Sequence, residues 1–137
     1  MLSVIGKRCV RRPTPCDGWT VADLISHMNA EHEAIIEPIL GPRRGCSDDP
    51  WRDFPLIAAR WVSALDQAGV DVMVPKVGSK VGTEQVWSIH FVDMLVHGWD
   101  VARAVGRSHP VADELVVEAF PVARIITAPA SPLAGTV

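Results

Sequence analysis

The sequence predicts an all-α protein, a bundle of helices joined by loops of unequal length. Apolar residues recur at helical spacing through long stretches, helix-start and helix-stop residues stand at their borders, and no run alternates strictly enough to make a trustworthy strand. At 137 residues, 48% of them apolar, the chain has the size of one domain and can bury roughly two-thirds of the surface its unfolded form exposes. The domain is expected over residues 1–127, and residues 128–137, "APASPLAGTV", read as a disordered tail.

The first segment, "MLSVIGKRCVRR", offers two or three turns before the chain-turning "PTPCDGW". An amphipathic helix of about five turns follows, with Val21, Leu24, Met28, Ile35 and Ile39 on its apolar side. Thr20 and Asp23 form a T-x-x-D start signal: the hydroxyl oxygen can accept from the N3 amide, and the carboxylate sits at the positive end of the helix dipole. "GPRRGCSDDP" is a loop by composition, and a second helix is expected from about residue 53 to 68, striped by Ile57, Trp61, Ala64, Leu65 and Ala68. "VDVMVPKVGSKVG" shows no helical period and reads as an extended connection or a small hairpin. Thr83 is expected to cap the next helix, which runs from Glu84 to about Val105 with apolar residues over most of its circumference and Gly106 as its stop. "ADELVVEAFPVARIIT" makes a last helix, weakened or kinked at Pro121, where one intrahelical bond is missing.

Composition excludes several classes of function. A net charge of -3 with no basic excess argues against a nucleic-acid binder. No window approaches the roughly 20 apolar residues of a membrane span, and the start lacks a secretory apolar core, so the cytoplasm is the expected compartment. Cys9, Cys16 and Cys46 are odd in number and irregularly spaced, outlining neither a disulfide framework nor a cysteine zinc site.

Two polar residues interrupt the third apolar helix. Asp93 and His97 are one turn apart, so they share a face and can converge on one point, a geometry suited to a divalent metal. The spacing is weak support alone: 16 acids and five histidines in 137 residues make one such pair nearly a chance event, and a second, Asp23 and His27, is present. Asp23 belongs to the cap. His27 lies one turn further in, beside Leu24 and Met28. An ionised Asp93 inside an apolar helix needs a partner; a cation shared with His27 and His97 supplies one, and so does a plain Asp–His ion pair.

"PTPCDGWTVADLISHM" and "FVDMLVHGWDVARAVG", in this order and about seventy residues apart, resemble the actinobacterial mycothiol-dependent maleylpyruvate isomerase metal-binding family of the DinB-like superfamily. The resemblance covers roughly residues 12–127. It implies a DinB-like four-helix bundle and a divalent metal, usually zinc, held by His27, Asp93 and His97. The isomerase of that family carries glutamate where this chain has Asp93, so the metal is carried over and the particular reaction is not. Three protein ligands leave open positions, as in a catalytic zinc site, and mycothiol or another small thiol would be the cosubstrate toward an electrophilic substrate.

Other residues draw smaller roles. His90 reads as a bundle-surface or hydrogen-bonded residue ahead of a fourth ligand or proton carrier, Glu31 as a solvated helix residue ahead of a partner behind His27, and Cys16 as a structural thiol. Asp100 and Arg103 read as a polar pair tying the helix to a loop, Gly98 as a point of close approach, and Trp99 as core. Set against the family, the first helix looks shortened and the C-terminus early. Isomerase or transferase chemistry is thus weighed against a catalytically silent metal-binding or protein-interaction module, with a homodimer expected through the bundle face the short first helix leaves open, a face including side chains of the capped helix and of the helix bearing Asp93.

Overall fold

The structure, a computed structural model, describes residues 9–43, 45 and 47–128. The expected first helix, the tail after Ala128 and Cys46 fall largely or wholly outside these residues. Along the described chain run α1 (Val21–Leu40), α2 (Pro50–Gln67), β1 (Asp71–Val74), β2 (Ser79–Gly82), α3 (Thr83–Ala104) and α4 (Asp113–Thr127). Helices dominate, as expected, but the all-α description needs amending: the segment of uncertain character forms a two-stranded antiparallel sheet, pairing Val72 with Val81 and Val74 with Ser79. Gly78, at φ 71°, supplies the left-handed residue that its turn needs.

α1 starts as the T-x-x-D signal requires. The Thr20 side chain accepts from the Asp23 amide at 3.2 Å, and the Asp23 carboxylate accepts from the Thr20 amide at 2.9 Å, a complete capping box. α2 begins three residues before the expected position, because the Asp49 carboxylate accepts from the amides of Trp51 and Arg52 while Pro50 occupies the first turn, where no amide is needed. Thr83 does not cap α3. Gly82 holds the cap position without a side-chain bond, and the Thr83 hydroxyl donates instead to the Gly69 carbonyl at 2.7 Å, tying helix to hairpin. α3 ends at Gly106, φ 69°, with bonds from the Gly106 amide to the Arg103 carbonyl and from the Arg107 amide to the Ala102 carbonyl, the two bonds of a Schellman motif. α4 runs through Pro121 as one continuous helix.

The apolar stripes meet in three clusters. Ile36, Ile57, Trp61, Ala64, Leu65 and Val86 join α1, α2 and the hairpin to the start of α3. Val21, Leu24, Ile25, Met28 and Val101 join α1 to the far end of α3, with Cys9 and Cys16 packed against them. Val92, Ala119 and Ile126 join α3 to α4. Each fully buried Leu or Ile here contributes on the order of 2 kcal/mol, so the two α1 clusters outweigh the small α4 seam.

Two expectations about faces change. α3 is not buried all round: Trp87, Val96 and Trp99 are exposed, and Trp99, 45% exposed, lies beneath the Arg103 guanidinium at 5.5 Å rather than in the core. Large apolar side chains are exposed mostly on α3 and α4, with others on α2 (Leu56, Val62) and around the hairpin (Val70, Met73), whereas no large apolar side chain of α1 is exposed. No helix among the described residues is long and apolar enough to cross a membrane.

Candidate metal centre

On α3, His90, Asp93, His97 and Asp100 follow one another at steps of three and four, forming one polar stripe along a helix face. α1 and the loop before it present His32, His27 and Cys16 to that stripe. Asp93, His97 and Asp100 are buried, His90 and His27 partly so.

At the centre, His97 Nε2 lies 3.1 Å from Asp93 Oδ1. The distance suits an ion pair, yet the two atoms are off the line of a hydrogen bond, and both are buried with no hydrogen-bond partner. His27 stands beside them, its ring meeting that of His97 edge to face at 5.8 Å, with Trp19 against its other side at 4.9 Å. Burial pushes the His97 pKa down, but the Asp93 and Asp100 carboxylates outweigh it and hold the imidazole above its ordinary value.

The other nitrogen of His97 faces a different acid. Nδ1 lies 3.4 Å from Asp100 Oδ2, to which the Cys16 thiol donates at 3.5 Å. Burial first, and then the Asp100 carboxylate, raise the Cys16 pKa, so this thiol is held protonated. The loop that carries Cys16 is fastened by bonds from the Thr14 amide to the Trp19 carbonyl and from the Val21 amide to the Arg12 carbonyl, both 2.9 Å. Asp100 therefore ties helix to loop as expected, through Cys16 and not with Arg103.

Beyond Asp93 the stripe continues differently. The His90 ring stacks on Trp61 at 3.8 Å and 19°, and His32 lies 5.0 Å from His90. Burial lowers the His90 pKa against the pull of Asp93. His32 is lowered further, to about 4, by burial and then by His90, with Asp93 opposing. Glu31 is engaged by Lys76 of the hairpin turn at 3.6 Å.

Two sets of donors thus share His97. Cys16, His97 and Asp100 offer ligand atoms all within 4.8 Å of one another; His27, Asp93 and His97 are less tightly gathered. Satisfaction separates the two sets. Asp100 accepts from both its neighbours, whereas Asp93 Oδ1 and His97 Nε2 are left without hydrogen bonds. Donors around a tetrahedral zinc sit roughly 3.3 Å apart, close to the spacing of this unbonded pair, and carboxylate oxygen with imidazole nitrogen is a donor set zinc takes. The partnership of Cys16 with Asp100 crosses 84 positions and left no trace in sequence spacing, and His32, five residues after His27, carried no pattern that marked it.

Comparison with known proteins supports the resemblance over the part of the chain that holds the first motif. Residues 2–45 match the family model described as the mycothiol maleylpyruvate isomerase N-terminal domain. Two uncharacterized proteins of Mycobacterium tuberculosis, from strains CDC 1551 / Oshkosh and ATCC 25618 / H37Rv, are each 29% identical over 124 residues. The alignments cover 85% of this chain and 66% of those proteins, just under two-thirds of the relatives' length. No solved structure matches.

Proposed function

We propose that the chain binds one divalent cation, zinc being the expected ion, through His27, Asp93 and His97, and that the open positions receive a small thiol such as mycothiol. The observation that carries this reading is the pair Asp93 Oδ1 and His97 Nε2: buried, 3.1 Å apart and making no hydrogen bond. Leaving two such atoms unmade is costly, and a cation between them would remove the cost. Asp100 supports the same assignment, because a proton on Nδ1 directed at its carboxylate leaves Nε2 with a free lone pair, the arrangement that orients a metal-ligating histidine. Trp19 limits the movement of the His27 ring and shields it from water on one side.

When bound, such a cation supplies Lewis acidity that holds a thiol in its nucleophilic, ionised form near neutral pH. The chain's own residues then fix geometry and exclude solvent, and addition of the thiol to an electrophilic carbon is the shared first event of two outcomes. The sulfur would add to a carbon–carbon double bond whose π pair moves onto the conjugated acceptor; expulsion of the thiolate after rotation restores the double bond, which is isomerisation, whereas protonation of the carbanion keeps the adduct, which is transfer. Asp93 in place of glutamate leaves this choice open. A second reading, a catalytically silent module, draws on the exposed apolar side chains of α4.

Elemental analysis of chelator-stripped protein reloaded with zinc tests the assignment. About one equivalent is expected to bind, to be lost in His97→Ala and Asp93→Asn, and to remain in His90→Ala and Cys16→Ser. In metal-free protein His97→Ala also strands the Asp93 charge, costing a few kcal/mol of stability. Loss of zinc from Cys16→Ser with retention in Asp93→Asn would move the site to Cys16, His97 and Asp100, and full retention in His97→Ala would overturn it altogether.

A further inference from the structure

On the side of Asp93 away from His97, the hairpin closes over α1, α2 and α3 around a cavity of about 80 Å3. Its wall is largely apolar, built from Ile35, Trp61, Val81 and Ile89 among others. His32 lines it, only 2% exposed, and neither of its ring nitrogens has a hydrogen-bond partner. A buried imidazole whose donor and acceptor are both idle is rare in a settled core, where polar groups are otherwise satisfied.

The charges at the wall narrow what could satisfy it. Lys76 at the rim lies 3.6 Å from Glu31, and Asp93 is engaged with His97, so no positive charge is left over to attract an anion. An ordered water needs two to four polar partners, and along the stretch of wall built from Ile35, Val81 and Ile89 it finds none. The volume suits on the order of five non-hydrogen atoms.

We propose that this cavity binds a small uncharged molecule bearing one hydroxyl or carbonyl group, hydrogen-bonded to His32, with its carbon skeleton against Trp61 and the aliphatic wall. The site is separate from the metal reading: of the residues lining it only Asp93 is a proposed ligand, and the test uses metal-free protein. Few convergent polar groups in a mostly apolar concavity are the usual make-up of a small-molecule site.

The chelator-treated full chain is titrated with cyclopentanol, methylcyclopentane and isobutyrate, similar in size but bearing a hydroxyl, no polar group and a charge, while the histidine ring signals are followed by NMR. Cyclopentanol should shift the His32 and His90 signals saturably and leave His109 unmoved; methylcyclopentane should bind roughly tenfold more weakly for want of one hydrogen bond, and isobutyrate should not bind. His32→Phe keeps the ring shape, should melt no lower than the parent, and should reduce cyclopentanol to the level of methylcyclopentane. Ile35→Phe narrows the cavity without touching His32 and should abolish all binding. The proposal is overturned if cyclopentanol gives no saturable shift, if isobutyrate binds as well as cyclopentanol, or if either variant binds cyclopentanol as the parent does.

Discussion

At the scale of the residue, burial decides which ionisable groups carry charge. His32 has its pKa held near 4 against an ordinary 6.5, because burial disfavours the imidazolium; His90 adds to this and Asp93 only partly offsets it. The groups around it are His90 and Asp93 from α3, Glu31 from its own helix and Lys76 from the hairpin. A histidine whose pKa is depressed by folding destabilises the fold as pH falls through its unfolded value, because only the unfolded chain takes up the proton freely. Between about pH 6.5 and 4 the parent protein should therefore lose on the order of 3 kcal/mol through this residue, and His32→Phe should flatten that part of the urea-measured stability profile. An equally steep loss in the variant would show that other groups carry it. None of this was legible in the sequence, where His32 sits among polar neighbours on what reads as an ordinary helix. Asp93 and His97 were legible because their i, i+4 spacing is local geometry. The Cys16–Asp100 bond was not, because only the folded chain brings the two together.

At the scale of the element, the sequence is most informative where a side chain acts on its own backbone. Thr20 and Asp23 form the capping box their spacing implies, and Gly106 takes the left-handed conformation that ends α3. Thr20→Ala should cost about 1 kcal/mol in chemical denaturation, while Thr83→Ala should leave the start of α3 in place, since that hydroxyl bonds to Gly69 and not to its own helix. The capping contribution also has a pH sign. Thr20 bonds lower the Asp23 pKa, so the contribution is complete above the ordinary carboxylate value and fades as pH falls through the lower folded one. Legibility drops where the deciding contacts are distant. The hairpin could not be told from an extended connection because its strands are four residues long and its one buried pair, Val72 and Val81, gains its meaning from the α1–α2 core behind it. Thr83 misled for the opposite reason: a residue suited to capping found a better acceptor across the junction.

At the scale of the whole molecule, what matters is how unevenly the helices are held. α1 buries Val21, Leu24, Ile25, Met28 and Ile36 in two clusters, with Ile35 and Ile39 half-buried against one of them, whereas α4 is fastened to α3 chiefly through Ala119 and Ile126. On its remaining surface Leu115, Val116, Val117, Phe120 and Ile125 are all exposed, with Phe120 about one turn from both Val116 and Val117. Trp87, Val96 and Trp99 of α3 add to the apolar exposure. Scattered apolar residues need no explanation, but a contiguous group on a weakly anchored helix marks an interface or an aggregation liability. The expected outcome is self-association of the full chain through α4, with a sedimentation coefficient that rises with concentration in the micromolar range. Phe120→Glu, which places a charge at the middle of the group without touching the Ala119–Ile126 seam, should return the protein to a monomer of unchanged or better solubility and leave zinc binding intact, because α4 carries none of the proposed ligands. A parent chain that sediments as a monomer at every concentration would sink this expectation. Loss of zinc from Phe120→Glu would show instead that α4 holds α3 in the geometry its metal stripe needs.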